Sequence, residues 1–391
     1  MLDFYKLHSQ FQNFMVSRGY NIRERESLIS PIFPTTFTVS GGPDLAYKFF
    51  QGDKSLMGNQ IVNQPCVRHW DIDLTGDGKH LSFFNMFVAD SIEGYSREDM
   101  MLHFYEFFTK VLNLDPSRFY ASYFGGGEIK GTFFKPDNEI KRIWQSTGII
   151  PSRIISFSGT NSMDAFVANH IEPVGGPRSE LFYDLRANPE PIDSVDQFLN
   201  LEKEGKMIEF FTHVLYNVEV KAGNVYTFKK TKKDAVAAGF GPQRILRITD
   251  CVGNIGEISL FGDLKKCLGD IPEQFNKESM IVCDHIRGLV FLINDGVLGL
   301  HGRKNNSRKY LFRKYVKNFK TNFDKLPLKD KEDALNMLVE SAIEMFGQVF
   351  PDFVKKKQLI TEKFFEVYRK SDFELPDHEK IFLSLSRKSV V

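Results

Sequence analysis

Two strand-like runs joined by a polar, glycine-containing loop constrain the fold most. The runs span residues 61–68 and 80–89, and the loop between them contains Gly76 and Gly78 among acidic residues. Short runs of β-branched and aromatic residues bounded by turn residues are typical of strands, so this stretch predicts two strands. Apolar residues then recur on one helical face in residues 97–113. The front of the chain is therefore predicted to be of the α+β class.

The pattern of the chain changes near residue 270. From about residue 275 onward, apolar residues recur at helical spacing in four segments, 278–295, 306–320, 330–348 and 353–370. With 391 residues, the chain is long enough for two to three domains at roughly 150 residues each. We predict an α+β domain over residues 1–270 and an all-helical domain over residues 271–391.

The composition favours an ordinary globular protein. The 51 Lys and Arg residues nearly balance the 50 Asp and Glu residues, which excludes a chain that is basic overall. The 4 cysteines lie too far apart for a zinc site or a disulfide framework. The N-terminus lacks the apolar core of a signal peptide, and the longest apolar run, 288–293, is too short to cross a membrane. These features predict a cytoplasmic protein with no membrane partner and no zinc.

Two arginines lie where a nucleotide could bind. Arg68 ends the first strand-like run, and Arg244 follows a turn that contains Gly239 and Gly241. Glycine lets a backbone approach a phosphate closely, and a guanidinium donates planar, charge-assisted hydrogen bonds to phosphate oxygens. No Walker A or dinucleotide-binding fingerprint is present. From this spacing alone, a glycine–arginine turn that binds no ligand is the simpler interpretation.

A cluster of basic residues begins the helical region. Residues 303–320 contain eight lysines and arginines and no acidic residue, which concentrates positive charge locally. Two interpretations remain open, a solvated helix face and a contact with nucleic acid. The candidate contacts are Arg303, Arg308, Lys309, Arg313 and Lys317.

Taken together, these segments resemble the alanyl-tRNA synthetase family of class II synthetases, over about residues 3–370. The resemblance rests on five segments: 37–43 (FTVSGGP), similar to motif 1; 66–68 with 80–86 (CVR and HLSFFNM), similar to motif 2; 176–184 (GPRSELFYD); 236–244 (VAAGFGPQR), similar to motif 3; and 284–287 (DHIR). The resemblance implies that residues 1–270 form a class II catalytic domain, an antiparallel sheet flanked by helices. Residues 271–391 would form a helical tRNA-recognition domain.

The resemblance also implies a reaction. A substrate carboxylate would attack the α-phosphorus of ATP, giving an acyl-adenylate and pyrophosphate, a transfer that depends on charge stabilisation. Arg68 would bind the α-phosphate, Arg244 the γ-phosphate, and Phe84 would stack on adenine. The ATP site would be completed by Mg²⁺, with Glu180 as a candidate ligand, and by Lys79, His80, Gly239 and Gly241.

The implied substrate pocket departs from the family pattern. It comprises Met86, Phe166, Thr212, Val214 and Ala237. Phe166 replaces a Trp, Thr212 replaces an Asn, and Ala237 replaces the Asp that pairs with the substrate ammonium. A buried ammonium without a partner costs roughly several kcal/mol. Asp234 lies at an odd offset on the predicted strand and so faces the other way. We therefore expect altered substrate recognition, with a compensating acid elsewhere in the pocket as the alternative.

Three functions remain open. The first is an adenylate-forming enzyme that passes an amino or related carboxylic acid to a tRNA, a carrier protein or a small molecule. The second is a minimal alanyl-tRNA synthetase that charges alanine tRNA. The third is a non-catalytic binding paralogue. The chain ends after the helical region, so we expect no editing domain and no zinc-dependent deacylation.

Overall fold

The structure is a computed structural model of the chain. It describes residues 2–30, 36–41, 48–50, 52–129, 131–165, 174–221, 227–298 and 307–371. Phe166 and Arg303, two of the predicted site residues, lie outside the described residues. In the part of the chain that is described, no helix combines the length and apolar character needed to span a membrane.

One mixed sheet dominates the front of the molecule. In chain order its strands are β1 (Asn21–Ile22), β2 (Gly58–Val67), β3 (Phe83–Ile92), β4 (Phe119–Phe124), β7 (Ile154–Phe157), β8 (Met163–Ala165), β9 (Val174–Asp184), β10 (Met207–Lys221) and β11 (Thr227–Phe240). Across the sheet the order is β1, β2, β3, β11, β10, β9, β4, β7, and β8 pairs with β9. Strands β5 (Gly127–Ile129) and β6 (Thr132–Phe134) form a separate hairpin.

The pairing of these strands confirms the predicted α+β class. The central run from β2 to β4 is antiparallel throughout, and the predicted strand pair is β2 with β3, in a register that places Cys66 opposite Phe84. The two edges differ from the prediction, because β1 pairs with β2 and β7 pairs with β4 in parallel. The antiparallel part of the sheet is therefore central and its parallel pairings are peripheral.

The helices surround the sheet and then continue alone. They are α1 (Phe4–Ser17), α2 (Arg97–Glu106), α3 (Asn138–Ser146), α4 (Val195–Lys203), α5 (Pro242–Thr249), α6 (Gly262–Leu268), α7 (Asn276–Asn294), α8 (Ser307–Lys325), α9 (Lys331–Gly347), α10 (Pro351–Lys355) and α11 (Lys357–Arg369). A π-helical turn, Phe107–Val111, extends α2. The helix predicted over 353–370 is interrupted at Lys356, which caps α10 and whose Nζ donates to the Asn294 carbonyl at 3.0 Å.

Phenylalanines fill the core on one face of the sheet. The Phe240 ring lies 5.2 Å from that of Phe11 on α1, 5.3 Å from Phe87 on β3 and 5.4 Å from Phe108. Since side chains alternate along a strand, the neighbours of Phe87 and Phe240 face the opposite side of the sheet. That opposite face is where the cavity described below lies.

A buried polar contact joins the rear helices to the start of β3. Asp284 on α7 accepts hydrogen bonds from the backbone N–H groups of Ser82 at 3.1 Å and Phe83 at 3.3 Å. The Tyr315 hydroxyl of α8 lies 2.7 Å from the Ser82 hydroxyl. The apolar core is also continuous from α1 to α11. The helical region thus packs directly on the sheet, while the domain boundary near residue 270 stays a prediction.

Candidate active site

A cavity of about 460 Å³ lies on the face of the sheet opposite the phenylalanine core. Strands β3, β9, β10 and β11 contribute to its floor, and Val39 and Ser40 line it from the segment that precedes β2. It brings together residues that are far apart in the sequence. The predicted site residues that line it are Arg68, Lys79, His80, Phe84, Met86, Glu180, Thr212, Gly239, Gly241 and Arg244.

Arg68 lies over the ring of Phe84. Its guanidinium carbon lies 4.7 Å from the centre of the Phe84 ring, and its Nε donates to the Val39 carbonyl at 3.3 Å. Burial lowers the pKa of Arg68, and the nearby Asp71 carboxylate opposes that shift. Within the described residues the Val39 carbonyl is the one acceptor of a hydrogen bond from the Arg68 guanidinium, which leaves the terminal N–H groups for an anion.

Arg244 is anchored by an acid that the sequence analysis missed. From α5 its guanidinium donates both to the Glu209 carboxylate and, at 2.7 Å, to the Glu209 carbonyl. The other carboxylate oxygen of Glu209 accepts from the Thr212 hydroxyl at 2.8 Å. The Glu209 charge raises the pKa of Arg244. We call Arg68, Glu209 and Arg244 the charged end of the cavity.

A β-bulge explains why Glu209 reaches the cavity. The register of β10 against β9 shifts between Glu209 and Phe211. In a regular strand, residues three apart face opposite sides, so Glu209 and Thr212 could not both line one cavity. A bulge adds one residue and re-aims the side chains beyond it. The available signal was Glu209, the single acid in the mainly apolar run of residues 207–216.

Glu180 lies on the same face of the sheet as Thr212. The two residues are paired across β9 and β10, and Glu180 forms an ion pair with Arg178 at 3.1 Å. Carboxylates suit Mg²⁺, which is usually held by one or two of them together with substrate phosphates. The described residues contain no group of three or more His, Cys, Asp or Glu side chains arranged to hold a metal. Glu180 and Glu209 both line the cavity, which provides two carboxylates for a magnesium ion that would arrive with a nucleotide.

Lys79 and His80 are held by neighbouring loops. The Asp77 carboxylate lies 2.5 Å from Nδ1 of His80, and the Lys79 ammonium donates to the Lys203 carbonyl at the end of α4. Both residues line the cavity from the loop between β2 and β3. The loop therefore places a cation and an imidazole at the rim beside Arg68.

Two predicted pocket residues, Val214 and Ala237, do not line the cavity. Each lies two positions along its strand from a lining residue, Thr212 and Gly239 respectively. Val214 on β10 pairs with Ala237 on β11, and Ala237 pairs with Asp90 on β3. We call Asp90, Ala237 and Val214 the inner row. All three are buried, and Val214 and Ala237 belong to a small apolar cluster with Ile92. Asp90 was also missed, because cross-strand register is not visible in the sequence.

The predicted basic surface is partly compensated by acids from elsewhere. Lys314 forms an ion pair with Asp73 of the β2–β3 loop. Arg308 donates to the backbone carbonyls of Thr36 at 2.7 Å and Ser30, and burial lowers its pKa. Lys309, Arg313 and Lys317 are half-buried on α8. Contact of this surface with tRNA stays a prediction.

The sequence model of the family described as tRNA synthetases class II (A) matches residues 6–368. The chain belongs to this class II synthetase family. It is 26% identical to the alanine–tRNA ligase of Methylococcus capsulatus over 91% of this chain and 40% of that protein. It is 28% identical to the alanine–tRNA ligase of Elusimicrobium minutum over 96% of this chain and 43% of that protein.

The match to these relatives is partial in length. The chain is 24% identical to the alanine–tRNA ligase of Treponema pallidum. This match covers 98% of this chain but only 60% of that protein. The chain of this class II family member thus spans about half the length of these relatives. The solved structure of apo histidyl-tRNA synthetase from S. aureus aligns with this chain at 12% sequence identity and a TM-score of 0.35. The alignment covers 73% of this chain and 75% of the chain in that structure.

In this member of the class II family, the segments similar to motifs 2 and 3 meet at the cavity. Arg68 and Phe84 come from the first segment, and Arg244 comes from the second. Met86 and Thr212 line the cavity as predicted, whereas Val214 and Ala237 lie behind its lining. The structure thus brings most of the predicted site residues together and adds Glu209 to the cavity lining, with Asp90 buried in the inner row.

Proposed function

We propose that the chain activates an amino acid, or a related carboxylic acid, with ATP to form an acyl-adenylate. An oxygen of the carboxylate attacks the α-phosphorus, the bond from that phosphorus to the bridging oxygen breaks, and pyrophosphate leaves. The observation that carries the proposal is the convergence of Arg68 and Arg244, from distant parts of the chain, on one cavity beside Phe84. Phosphoryl transfer depends mainly on such positioning and charge stabilisation.

Each charged residue then has a distinct role. Arg68 binds the α-phosphate through the N–H groups that it does not donate to Val39, and Phe84 keeps its guanidinium plane fixed. Arg244 binds the γ-phosphate in an orientation set by Glu209. Glu180 and Glu209 would hold Mg²⁺, which supplies Lewis-acid neutralisation of phosphate charge when bound. Adenine occupies the part of the cavity lined by Phe84.

The acceptor that this proposal favours is tRNA. Two observations support it: the relatives named above are alanine–tRNA ligases, and the family match extends through the helices to residue 368. A carrier protein or a small molecule is the alternative acceptor. A minimal alanyl-tRNA synthetase is the second candidate function, favoured by the names of those relatives and disfavoured by Ala237.

Amino-acid-dependent exchange of labelled pyrophosphate into ATP tests the proposal. We expect exchange with at least one amino acid and its loss in Arg244→Ala. Arg18→Ala is the matched control, since Arg18 is an exposed arginine that pairs with Glu106 on the surface. Exchange with no acid, together with retained ATP binding, would instead establish a non-catalytic binding paralogue. Charging of total tRNA with labelled alanine would favour the second candidate function.

A further inference from the structure

The cavity needs an acid if its substrate is an amino acid. The substrate carboxylate must face the phosphate-binding arginines, and the ammonium on the next carbon then lies close to the same sheet. Burying that ammonium without an anionic partner is costly. The acid that receives it must therefore lie on the cavity face of the sheet and must not already be fully paired.

Three acids line the cavity, Asp71, Glu180 and Glu209, and all three lie beside arginines. Asp71 lies next to Arg68, whose charge opposes the rise in the pKa of Asp71 that burial causes. Glu209 accepts hydrogen bonds from both Arg244 and Thr212, and Glu180 pairs with Arg178. Withdrawing either carboxylate toward a substrate ammonium would leave an arginine uncompensated. Glu180 and Glu209 therefore stay with these arginines at the phosphate end of the cavity, where Mg²⁺ would also bind, and the ammonium needs a different acid.

Asp90 occupies the right face of the sheet. It follows Met86, a cavity residue, by four positions on β3, and side chains an even number of positions apart on a strand share a face. Its cross-strand partner is Ala237, and Gly239, which lines the cavity, lies two residues further along β11. Paired residues have Cα atoms about 4.5–5.5 Å apart. Because Ala237 ends at a methyl group, the side chain of Asp90 meets no bulky neighbour at that position.

The pairing of Asp90 is incomplete. It is 4% exposed, and its Oδ2 forms an ion pair with Arg23 at an N···O distance of 3.6 Å, which is longer than a normal hydrogen bond. Among the residues that the structure describes, Oδ2 has no hydrogen-bond donor. Burial raises the pKa of Asp90 to about 7, and the Arg23 charge opposes that shift. A buried carboxylate in this condition is suited to a cationic ligand.

We infer that Asp90 is a specificity-determining residue that binds the ammonium of the substrate, so that the cavity selects α-amino acids over the same acids without an amine. The inference rests on the proposed function. The carboxylate is supplied by β3, directly across from Ala237 on β11. Arg23 lies beside the carboxylate, and its charge helps to keep the carboxylate ionised.

Exchange kinetics with paired substrates test the inference on the full chain. For wild type, kcat/KM for the best amino acid should exceed that for its des-amino counterpart by on the order of 100-fold, since an unpaired buried charge costs a few kcal/mol. Asp90→Asn should lower kcat/KM for the amino acid by on the order of 100-fold and leave the KM for ATP within about twofold. The double variant Asp90→Ala with Ala237→Asp should recover at least tenfold of that loss, because it returns the carboxylate to the adjacent strand.

A matched control separates this role from loss of a buried charge in general. Asp295 is a buried carboxylate that pairs with Arg25 at 2.7 Å, and Asp295→Asn should leave kcat/KM for the amino acid unchanged in the folded protein. The inference is overturned if Asp90→Asn keeps the wild-type kcat/KM. It is also overturned, without any variant, if wild type uses amino and des-amino acids equally.

Failure of the proposed function would look different. If wild type exchanges pyrophosphate with no acid, the proposed function fails. Calorimetric binding of amino acids to wild type and Asp90→Asn then decides the role of Asp90 alone. Weaker binding by the variant supports that role, and equal binding overturns it.

Discussion

The charged end and the inner row of the cavity differ in how their ionised groups are paired. At the charged end, Arg244 and Glu209 contact each other directly, and Arg68 is fixed between Val39 and Phe84. In the inner row, Asp90 and Arg23 form a longer ion pair, at 3.6 Å, and Oδ2 of Asp90 accepts no hydrogen bond from the described part of the chain. The charged end is thus preorganised by the protein, whereas the inner row leaves an anion that a ligand can complete.

This difference indicates separate roles for the two groups of residues, one in the rate of the reaction and one in the choice of substrate. Preorganised charges stabilise a transition state because they need no rearrangement when the reaction occurs. An incompletely paired buried charge instead discriminates between ligands, since a ligand that lacks the matching group leaves the charge unsatisfied. We therefore propose that the charged end determines the rate of the reaction and that the inner row determines which substrate is used.

The largest effect should follow removal of the arginine at the charged end. Arg244→Ala should lower the rate of amino-acid-dependent exchange by on the order of 10³-fold or more, as expected for loss of an arginine that stabilises transferring phosphates. Exchange assays at saturating ATP measure it. An Arg244→Ala enzyme within tenfold of wild type would contradict the assignment of rate to this end.

Loss of the acid that orients Arg244 should have a smaller effect. Glu209→Gln keeps the hydrogen bond from Thr212 but removes the charge that fixes the guanidinium. We expect a decrease in kcat on the order of 10²-fold, because a misplaced catalytic group costs about that much. A preference for amino over des-amino acids should persist, since the inner row is untouched. If that preference disappears as well, the two ends do not act separately.

The sequence predicted the parts of this site that lie within continuous segments. The predicted runs 61–68 and 80–89 correspond to β2 and β3, and the turn before Arg244 lies at the end of β11. Glu209 was missed because a bulge, not the sequence, brings it to the cavity face. Asp90 was missed because its relation to Ala237 depends on the register of two strands separated by more than a hundred residues.

The basic cluster of residues 303–320 also shows that local sequence patterns do not reveal long-range contacts. No acid occurs within residues 303–320, yet Lys314 pairs with Asp73, which belongs to a loop far away in the sequence. Local charge counts therefore overstated the uncompensated charge on α8. Long-range pairing of this kind depends on how the rear helices pack on the front of the molecule, which local patterns do not determine.

A substitution outside the charged end and the inner row should lower stability without changing the rate or the choice of substrate. Ser82→Ala removes a buried hydroxyl that contacts Asp284 and Tyr315. Leaving such buried groups without a partner costs about 1–3 kcal/mol of unfolding free energy. Denaturant titration measures the loss, and kcat/KM of the folded variant should stay close to wild type. A large loss of kcat/KM at unchanged stability would mean that the rear helices control the cavity directly.

The smallest effect concerns the backbone behind the inner row. His213 is fully buried, accepts a hydrogen bond from Arg97 at Nε2 (2.6 Å) and donates one from Nδ1 to the Ala237 carbonyl (3.0 Å). Burial and the Arg97 charge lower the pKa of His213 well below its usual value. Below about pH 6.5 the unfolded chain takes up a proton that the folded chain does not. Stability should therefore decrease as the pH falls, by up to about 1.4 kcal/mol per pH unit from this group.

Unfolding titrations at pH 7 and pH 5 for wild type and His213→Gln test that expectation. The glutamine variant should lose less stability between the two pH values than wild type does, because it has no imidazole to protonate. Equal losses would show that His213 does not titrate differently in the folded and unfolded chains, and the backbone of Ala237 would then lack this pH-sensitive support.

The most direct test of the whole account is exchange of labelled pyrophosphate into ATP by the purified chain, with amino acids and their des-amino counterparts supplied in parallel. We expect exchange that depends on an amino acid, that is much weaker with the acid lacking the amine, and that disappears in Arg244→Ala. Absence of exchange with every acid would contradict the proposed activation, and equal exchange with both members of a pair would contradict the role of the inner row.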